Sequence, residues 1–300
     1  MTKKYVLISF FGGIGDQIFQ FSFANYLKNK LKCEVYVDLS YYQSSLNYNK
    51  LSFRLKSITK KKFQIKKNLL KINFRYLSYI RFLSFIKLDY LFSSINNIFF
   101  NKKVDKFIYE YSQNNKKYQL LTKSFYYGYW HNLKYLKDLK KFINQNLVKD
   151  VLKNKNIQKF INSKINDKTI CLHIRGGDYK WVKSHNTLES KYYIDSINFF
   201  IRKIKNPTFH IYTNDIIFAK KIMSNLLNNY KHEYMKDYKF SDIDEFSLFG
   251  VYKYSIIANS TFSLLSSYIS KNNLISIAPK NWSGDKKLNK KKTFERMIFL

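Results

Sequence analysis

The opening succession of an apolar run, a glycine cluster, a helical stretch and a second apolar run constrains this chain more than any other feature. Residues 4–10 (KYVLISF) read as a buried strand, Gly12, Gly13 and Gly15 as a turn, about 16–30 as a helix, and 33–38 (CEVYVD) as another strand. This is the pattern of a βαβ unit, which dictates parallel strands with helices packed on the sheet. The rhythm restarts near residue 165. Strand TICLHIR leads to a loop, a helix at about 191–204, strand PTFHIYT and a helix at about 216–228; helix, short strand, helix and strand follow in DEFSLFGVYKYS, IIANS, TFSLLSSYIS and LISIAP. A chain of 300 residues accommodates two such halves. The expected fold class is α/β, with domains at 1–160 and 161–300.

Within the first half the character changes. Residues 40–104 hold one acid, Asp89, against fourteen Lys and Arg, and 69–92 mix aromatics and cations at loose helical spacing. The segment reads as a basic, aromatic helical insertion, with an apolar face for the core or for a membrane surface. The formal charge of +34 predicts a field that attracts anions, whether nucleic acid, anionic lipid or a phosphorylated small molecule. The abundance of Lys, Asn, Ile, Phe and Tyr also matches A/T-rich codons, so charge alone does not choose among them.

Cys33 and Cys171 both fall in expected strands, where a thiol serves as a small apolar group, so neither a disulfide framework nor a zinc site is expected. No window reaches the length of an apolar membrane span. The first residues lack the cleavage pattern of a signal peptide. A cytoplasmic location follows as the expectation.

Three stretches carry chemistry. HIRGGDY (173–179) stands at the end of a buried strand, where α/β sheets place their ligands; Arg175 offers a planar fork for phosphate oxygens, and the glycines admit close approach. A salt bridge between Arg175 and Asp178 would also account for these residues. IANSTFSLLSSY (257–268) reads as strand, turn and helix, with Asn259, Ser260 and Thr261 forming either an anion site or a plain helix cap. IYTNDI puts Asn214 and Asp215 after a strand, where an amide or carboxylate reads a base or ribose edge, or simply makes a turn.

The chain resembles glycosyltransferase family 11, the α-1,2-fucosyltransferases, along almost its whole length. The resemblance rests on GGIGDQIFQFSFANYL, GYWHNLKYLKD (128–138), HIRGGDY, YTNDI, and DEFSLFGVYKYSIIANSTFSLLSSYIS followed by IAPKNW. It implies a GT-B-like fold of two facing Rossmann-like domains, GDP-β-L-fucose as donor, and no obligatory metal or other cofactor. It implies inverting transfer of L-fucose to the 2-hydroxyl of a terminal β-galactoside, in surface glycan synthesis. By position, His173 and Arg175 fall on the donor motif, with Arg175 the pyrophosphate ligand, and Asp178 on its closing acid and candidate base. Ser260 and Thr261, beside Asn259, fall on the phosphate loop, and Asn214 and Asp215 where guanine or ribose is read. Gly13, Gly15, Asp16, Gln17, Trp130 and His131 fall on the acceptor side. Asp16, His131 and Glu189 are further base candidates. The chain departs from the usual pattern at Gly176, where a second Arg is common, at Asp16, usually Asn, and at His131, often Gln.

The implied partners are GDP-fucose and a galactoside, lipid-linked where the enzyme docks peripherally on anionic membrane; nucleic acid is not expected. Rival readings are a fucosyltransferase of α-1,3 linkage, an NAD-dependent enzyme with Asp38 as its ribose acid, and a basic membrane- or nucleic-acid-binding protein.

Overall fold

The computed structural model describes residues 4–43, 47, 50–65, 106–109, 120–180, 187–223, 229–282 and 296–300. The amphipathic stretch expected at 69–92 lies outside them. The chain divides into two compact units, Met1–Ile143 and Asn144–Leu300.

In the first unit, strands β1 (Tyr5–Ser9), β2 (Glu34–Asp38), β3 (Gln64–Ile65), β4 (Lys106–Tyr109) and β5 (Ser124–Tyr127) form a sheet in the order β3-β2-β1-β5-β4. Its pairings are parallel throughout. Helix α1 (Ile14–Leu31) connects β1 to β2 and buries residues around most of its circumference, Ile18, Phe21, Phe23 and Leu27 among them. A helix apolar on nearly all sides belongs inside a core. Among its buried polar residues, Gln17 and Gln20 are hydrogen-bonded to backbone outside the helix: Gln20 accepts from Phe11 N–H (3.1 Å) and donates to the Gly128 carbonyl (3.3 Å). Buried amides satisfied in this way hold loops rather than ligands.

In the second unit the order is β11-β10-β9-β6-β7-β8, again parallel. Its strands are β6 (Thr169–Ile174), β7 (Thr208–Thr213), β8 (Lys231–Tyr234), β9 (Tyr254–Ile256), β10 (Ile275–Ala278) and β11 (Met297–Phe299). Every residue of β6 is buried, which is why TICLHI shows no alternation: a parallel strand covered on both faces is apolar throughout. One face of the sheet gathers Leu172, Ile174, Ile197, Phe200 and Ile211; the other gathers Cys171, Tyr212, Leu248, Phe249 and Leu264.

The sequence boundary at 160/161 falls within helix α2 (Lys155–Lys164), whose Ile157 and Phe160 join the second core. The unit division lies instead at a break in helical geometry, where Asn144–Val148 forms a π-turn between Lys140–Ile143 and Lys149–Leu152. Each unit is thus a Rossmann-like α/β sheet, and the expected GT-B class of fold is the one observed.

Candidate active site

Both sheets have a point where strand order reverses, and ligands of open α/β sheets settle beyond the carboxyl ends of the strands flanking it. In the second unit that point lies between β6 and β9, which pair at Cys171↔Ser255 and Leu172↔Ile256. The segment after β6 is Arg175-Gly176-Gly177, and the segment after β9 is Ile257 to Thr261. The two motifs singled out in the sequence therefore emerge side by side.

They are fastened to each other. Tyr179 donates its hydroxyl to the Asn259 carbonyl (3.2 Å), and the His173 ring meets the Ser263 hydroxyl at 2.8 Å. The Ser263 hydroxyl also lies 3.4 Å from the Ala258 carbonyl. His173 is buried between Phe249 and Phe262. Burial, aided by the Arg175 charge, pulls its pKa down to about 3, so the ring is neutral. It is a fixed strut behind Arg175. The guanidinium itself lies over the Tyr179 ring, 4.9 Å from its centroid, an aromatic support that orients its plane.

Asn214 and Asp215, at the end of β7, hold the glycine turn from the other side. Gly176 N–H donates to the Asn214 side-chain oxygen (3.1 Å), and the Asn214 amide returns to the Gly176 carbonyl (3.5 Å). Gly177 N–H donates to one Asp215 oxygen (3.1 Å), while the other accepts from Phe218 N–H (3.0 Å) and caps helix α3 (Ile216–Met223). Both side chains, expected at a base or ribose edge, thus grip backbone. The grip also explains Gly176 where the resemblance leads one to expect Arg. A Cβ there would stand 2.8 Å from Phe218 Cδ1 and 2.9 Å from Asp215 Cβ. Gly177 has φ +59, and its Cβ would meet the Asn214 amide nitrogen at 2.6 Å.

Ser260 caps helix α4 (Thr261–Ile269), accepting from Phe262 N–H at 3.4 Å. A hydroxyl engaged as acceptor keeps its proton for donation. Ser260 and Asn259 are buried at this turn, and Thr261 opens the helix half-buried. The Asp178 backbone lies in the short helical turn Gly177–Lys180; its side chain is outside the described residues. Glu189 sits at the start of the helix Ser190–Ile201.

Glu245 escaped the sequence reading. It lies in the first turn of helix Asp242–Phe249, whose Phe246 and Phe249 rings contact Phe262, and burial lifts its carboxyl pKa to about 7. The run DIDE after Ser241 reads as a helix cap, which it is (Ser241 with Asp244), and this hid the third acid.

In the first unit the reversal lies between β1 and β5. The segments after them are the glycine turn and Gly128 to His131. Asp16 accepts from Gly13 N–H (3.3 Å) and meets His131 Nε2 at 3.0 Å. Gly12 is the constrained glycine, with φ +78 and a Cβ that would lie 2.5 Å from Asp16 Oδ2, whereas a Cβ on Gly13 meets nothing within 4 Å. Gly15 is buried inside α1. Gln17 is turned inward, donating to the Gly12 and Ser52 carbonyls (3.2 and 3.0 Å) and accepting from Arg54 N–H (2.9 Å). Trp130 is buried and stacked on Phe23 at 4.0 Å. Asp38, the ribose acid of the rival NAD reading, is buried against the Ser9 and Ser40 hydroxyls. It has the wrong surroundings to meet a cofactor.

Two Rossmann-like units, each with polar side chains collected at its strand reversal, define a glycosyltransferase fold of the GT-B class. Residues 5–297 match the family described as Glycosyl transferase family 11, and the chain belongs to that family. A curated relative, the alpha-1,2-colitosyltransferase of Escherichia coli, is 28% identical over 174 residues, 54% of this chain and 57% of that protein. The matched part thus spans little more than half of the relative's length. Among solved structures, the fucosyltransferase NodZ from Bradyrhizobium shares the fold at TM-score 0.50 and 11% identity, over 90% of this chain and 93% of that one. The glycosyl transferase family 9 protein from Veillonella parvula DSM 2008 is similar at TM-score 0.47 and 8% identity, over 99% and 86%. Among the described residues no helix is long and apolar enough to cross a membrane.

Proposed function

We propose that this protein transfers L-fucose, with inversion, from GDP-β-L-fucose to the 2-hydroxyl of a terminal β-galactoside during surface glycan assembly. The observation that carries the reading is the Arg175-Gly176-Gly177 turn at the strand reversal of the second unit, clamped by Asn214 and Asp215 and tied to the Ser260 cap. Transfer requires the charge on the departing diphosphate to be stabilised, and donors fixed before the reaction do this best. A guanidinium on an aromatic shelf and a hydroxyl at a helix N-terminus are such donors. Neither needs a metal ion. Cytoplasmic location and peripheral docking on anionic lipid are part of the proposal, resting on the charge of +34.

A second donor is favoured by one observation, the match to a colitosyltransferase. Colitose is the 3-deoxy relative of fucose, and the phosphate-binding turn serves either sugar. The test is incubation with GDP-fucose or GDP-colitose and a panel of β-galactosides, followed by linkage analysis. An α-1,2-fucosylated galactoside supports the first reading; colitosyl product alone supports the second. Saturable NADH binding without GDP binding would overturn both.

A further inference from the structure

The first unit contains a paired imidazole and carboxylate at its own strand reversal, built from two segments far apart in the chain. Asp16 is held at the start of α1 by Gly13 N–H (3.3 Å). His131 arrives from the segment after β5 through Trp130, which adopts the left-handed φ of +56. That conformation is strained for a non-glycine residue. It is sustained by the buried indole stacked on Phe23 and by Asn132 N–H donating to the Trp130 carbonyl at 2.7 Å. Backbone strain held in place by good packing is the kind found where a side chain must be aimed. The aimed side chain is His131, which keeps 39% of its surface exposed.

The hydrogen bond fixes the tautomer. A carboxylate only accepts, so Nε2 of His131 carries the proton toward Asp16 (3.0 Å), and in the neutral ring Nδ1 is left with its lone pair. Phe19 (4.9 Å) and Tyr129 (5.1 Å) pack against the ring and limit its rotation. Among the described residues, the titratable groups against the ring are Asp16 and Tyr129. Nothing in the fold of α1 or β5 requires this pair, since Asp16 already caps the helix through Gly13. Asp16 and His131 are also two of the three positions at which the chain departs from the pattern it resembles, and they are in contact with each other.

We propose that His131, oriented by Asp16, is the general base that takes the proton from the acceptor hydroxyl. This rests on the fucosyltransferase reading above. In the step, the acceptor O–H bond breaks and its proton passes to His131 Nδ1. The acceptor oxygen bonds the anomeric carbon while the bond from that carbon to the diphosphate oxygen breaks, and GDP leaves with the electron pair. The imidazolium, paired with the Asp16 carboxylate, then returns its proton to water. Asp16 is the positioning residue and His131 the catalytic one.

The experiment measures kcat for fucosyl transfer from GDP-fucose to a galactoside between about pH 5 and 9, with GDP affinity by calorimetry, for wild type, His131→Gln, Asp16→Asn and Asp178→Asn. His131→Gln should lower kcat about 100-fold, keep GDP affinity within about twofold, and abolish the acidic limb of the profile. Asp16→Asn, which preserves the ring, should shift that limb and lower kcat about tenfold. A His131→Gln protein with near wild-type kcat and an intact acidic limb overturns the proposal, as does loss of the limb in Asp178→Asn alone. Should His131→Gln fail to fold, an unmoved limb in Asp16→Asn overturns it equally. A wild-type protein that neither binds GDP nor transfers a sugar would overturn the enzyme reading itself, and the dyad with it. An active wild type with indifferent variants removes only the dyad.

Discussion

Asn214 and Gly176 exchange two hydrogen bonds across adjacent strand ends, the glycine N–H to the side-chain oxygen at 3.1 Å and the side-chain amide to the glycine carbonyl at 3.5 Å. One side chain thereby satisfies both polar groups of a residue that carries none of its own beyond the backbone. Arg175 is the neighbour whose position this fixes. Replacing Asn214 by Ala should cost about 1–3 kcal/mol of stability by orphaning the Gly176 N–H, while the Gly176 carbonyl keeps its bond from Tyr179 N–H (3.3 Å). It should lower kcat/KM by one to two orders of magnitude as Arg175 loses its register. Urea unfolding and steady-state kinetics check the two halves; a stability loss without a kinetic one would make the clamp purely structural.

Arg175→Ala should abolish nearly all transfer, about 100- to 1,000-fold in kcat, with the melting temperature little changed. Arg175→Lys should recover only part, because an ammonium cannot reproduce the planar fork or its stacking on Tyr179. Calorimetry with GDP separates lost binding from lost turnover.

Gly176→Ala places a methyl 2.8 Å from Phe218 and should destabilise by about 1–3 kcal/mol. Adding Phe218→Ala removes one of the two clashes, so the double variant should cost less than the sum of the singles. A double-mutant cycle on denaturation midpoints gives the coupling. Strict additivity would mean that the turn moves as a body instead.

Three groups shifted by burial, His173, His210 and Glu245, make a joint contribution to stability that falls as the medium turns acidic. His173 and His210 have folded pKa values of about 3 and about 4 because burial opposes their charge. The unfolded chain therefore takes up two protons near the ordinary imidazole value of about 6.5 that the folded chain refuses. Their contribution is complete above that pH and is lost as pH falls. Glu245, raised to about 7 by burial, acts oppositely: the folded form holds a proton that the unfolded form releases, so its contribution is complete below the ordinary glutamate range and fades as pH rises through 7. Summed over these three groups, the unfolded state binds about one net proton more between about pH 5 and 6, a contribution that lowers unfolding free energy by about 1.4 kcal/mol per unit of falling pH. In Glu245→Gln the offset disappears and the slope should roughly double. Denaturant titrations across that range test the difference.

Much of this fold could be read from the sequence because parallel strands covered on both faces leave uninterrupted apolar runs. TICLHI and YVLIS form strands as expected, and the helix expected at about 16–30 is observed at Ile14–Leu31. The placement of HIRGGDY and ANSTF at strand ends followed from the same logic. Side-chain direction did not. Gln17 and Asp215 look from their spacing like groups offered to a ligand, yet each is spent on neighbouring backbone, because turns adjoining a crevice have polar groups of their own to satisfy. Gly12 rather than Gly13 bears the steric constraint, a distinction that resides in φ and not in composition. The Asp16–His131 contact joins residues 115 positions apart, and no local pattern announces it.

The two strand reversals have a consequence for how such a chain can diversify. One collects its side chains from segments between residues 10 and 131, the other from segments between 173 and 263, and the π-turn at Asn144–Val148 lies between these stretches. Among the described residues, the strands flanking each reversal and the segments that follow them belong to one unit. A recombination event near residue 144 would therefore exchange one crevice whole while leaving the second unaltered, so inheritance can try new pairings of two recognition surfaces without rebuilding either.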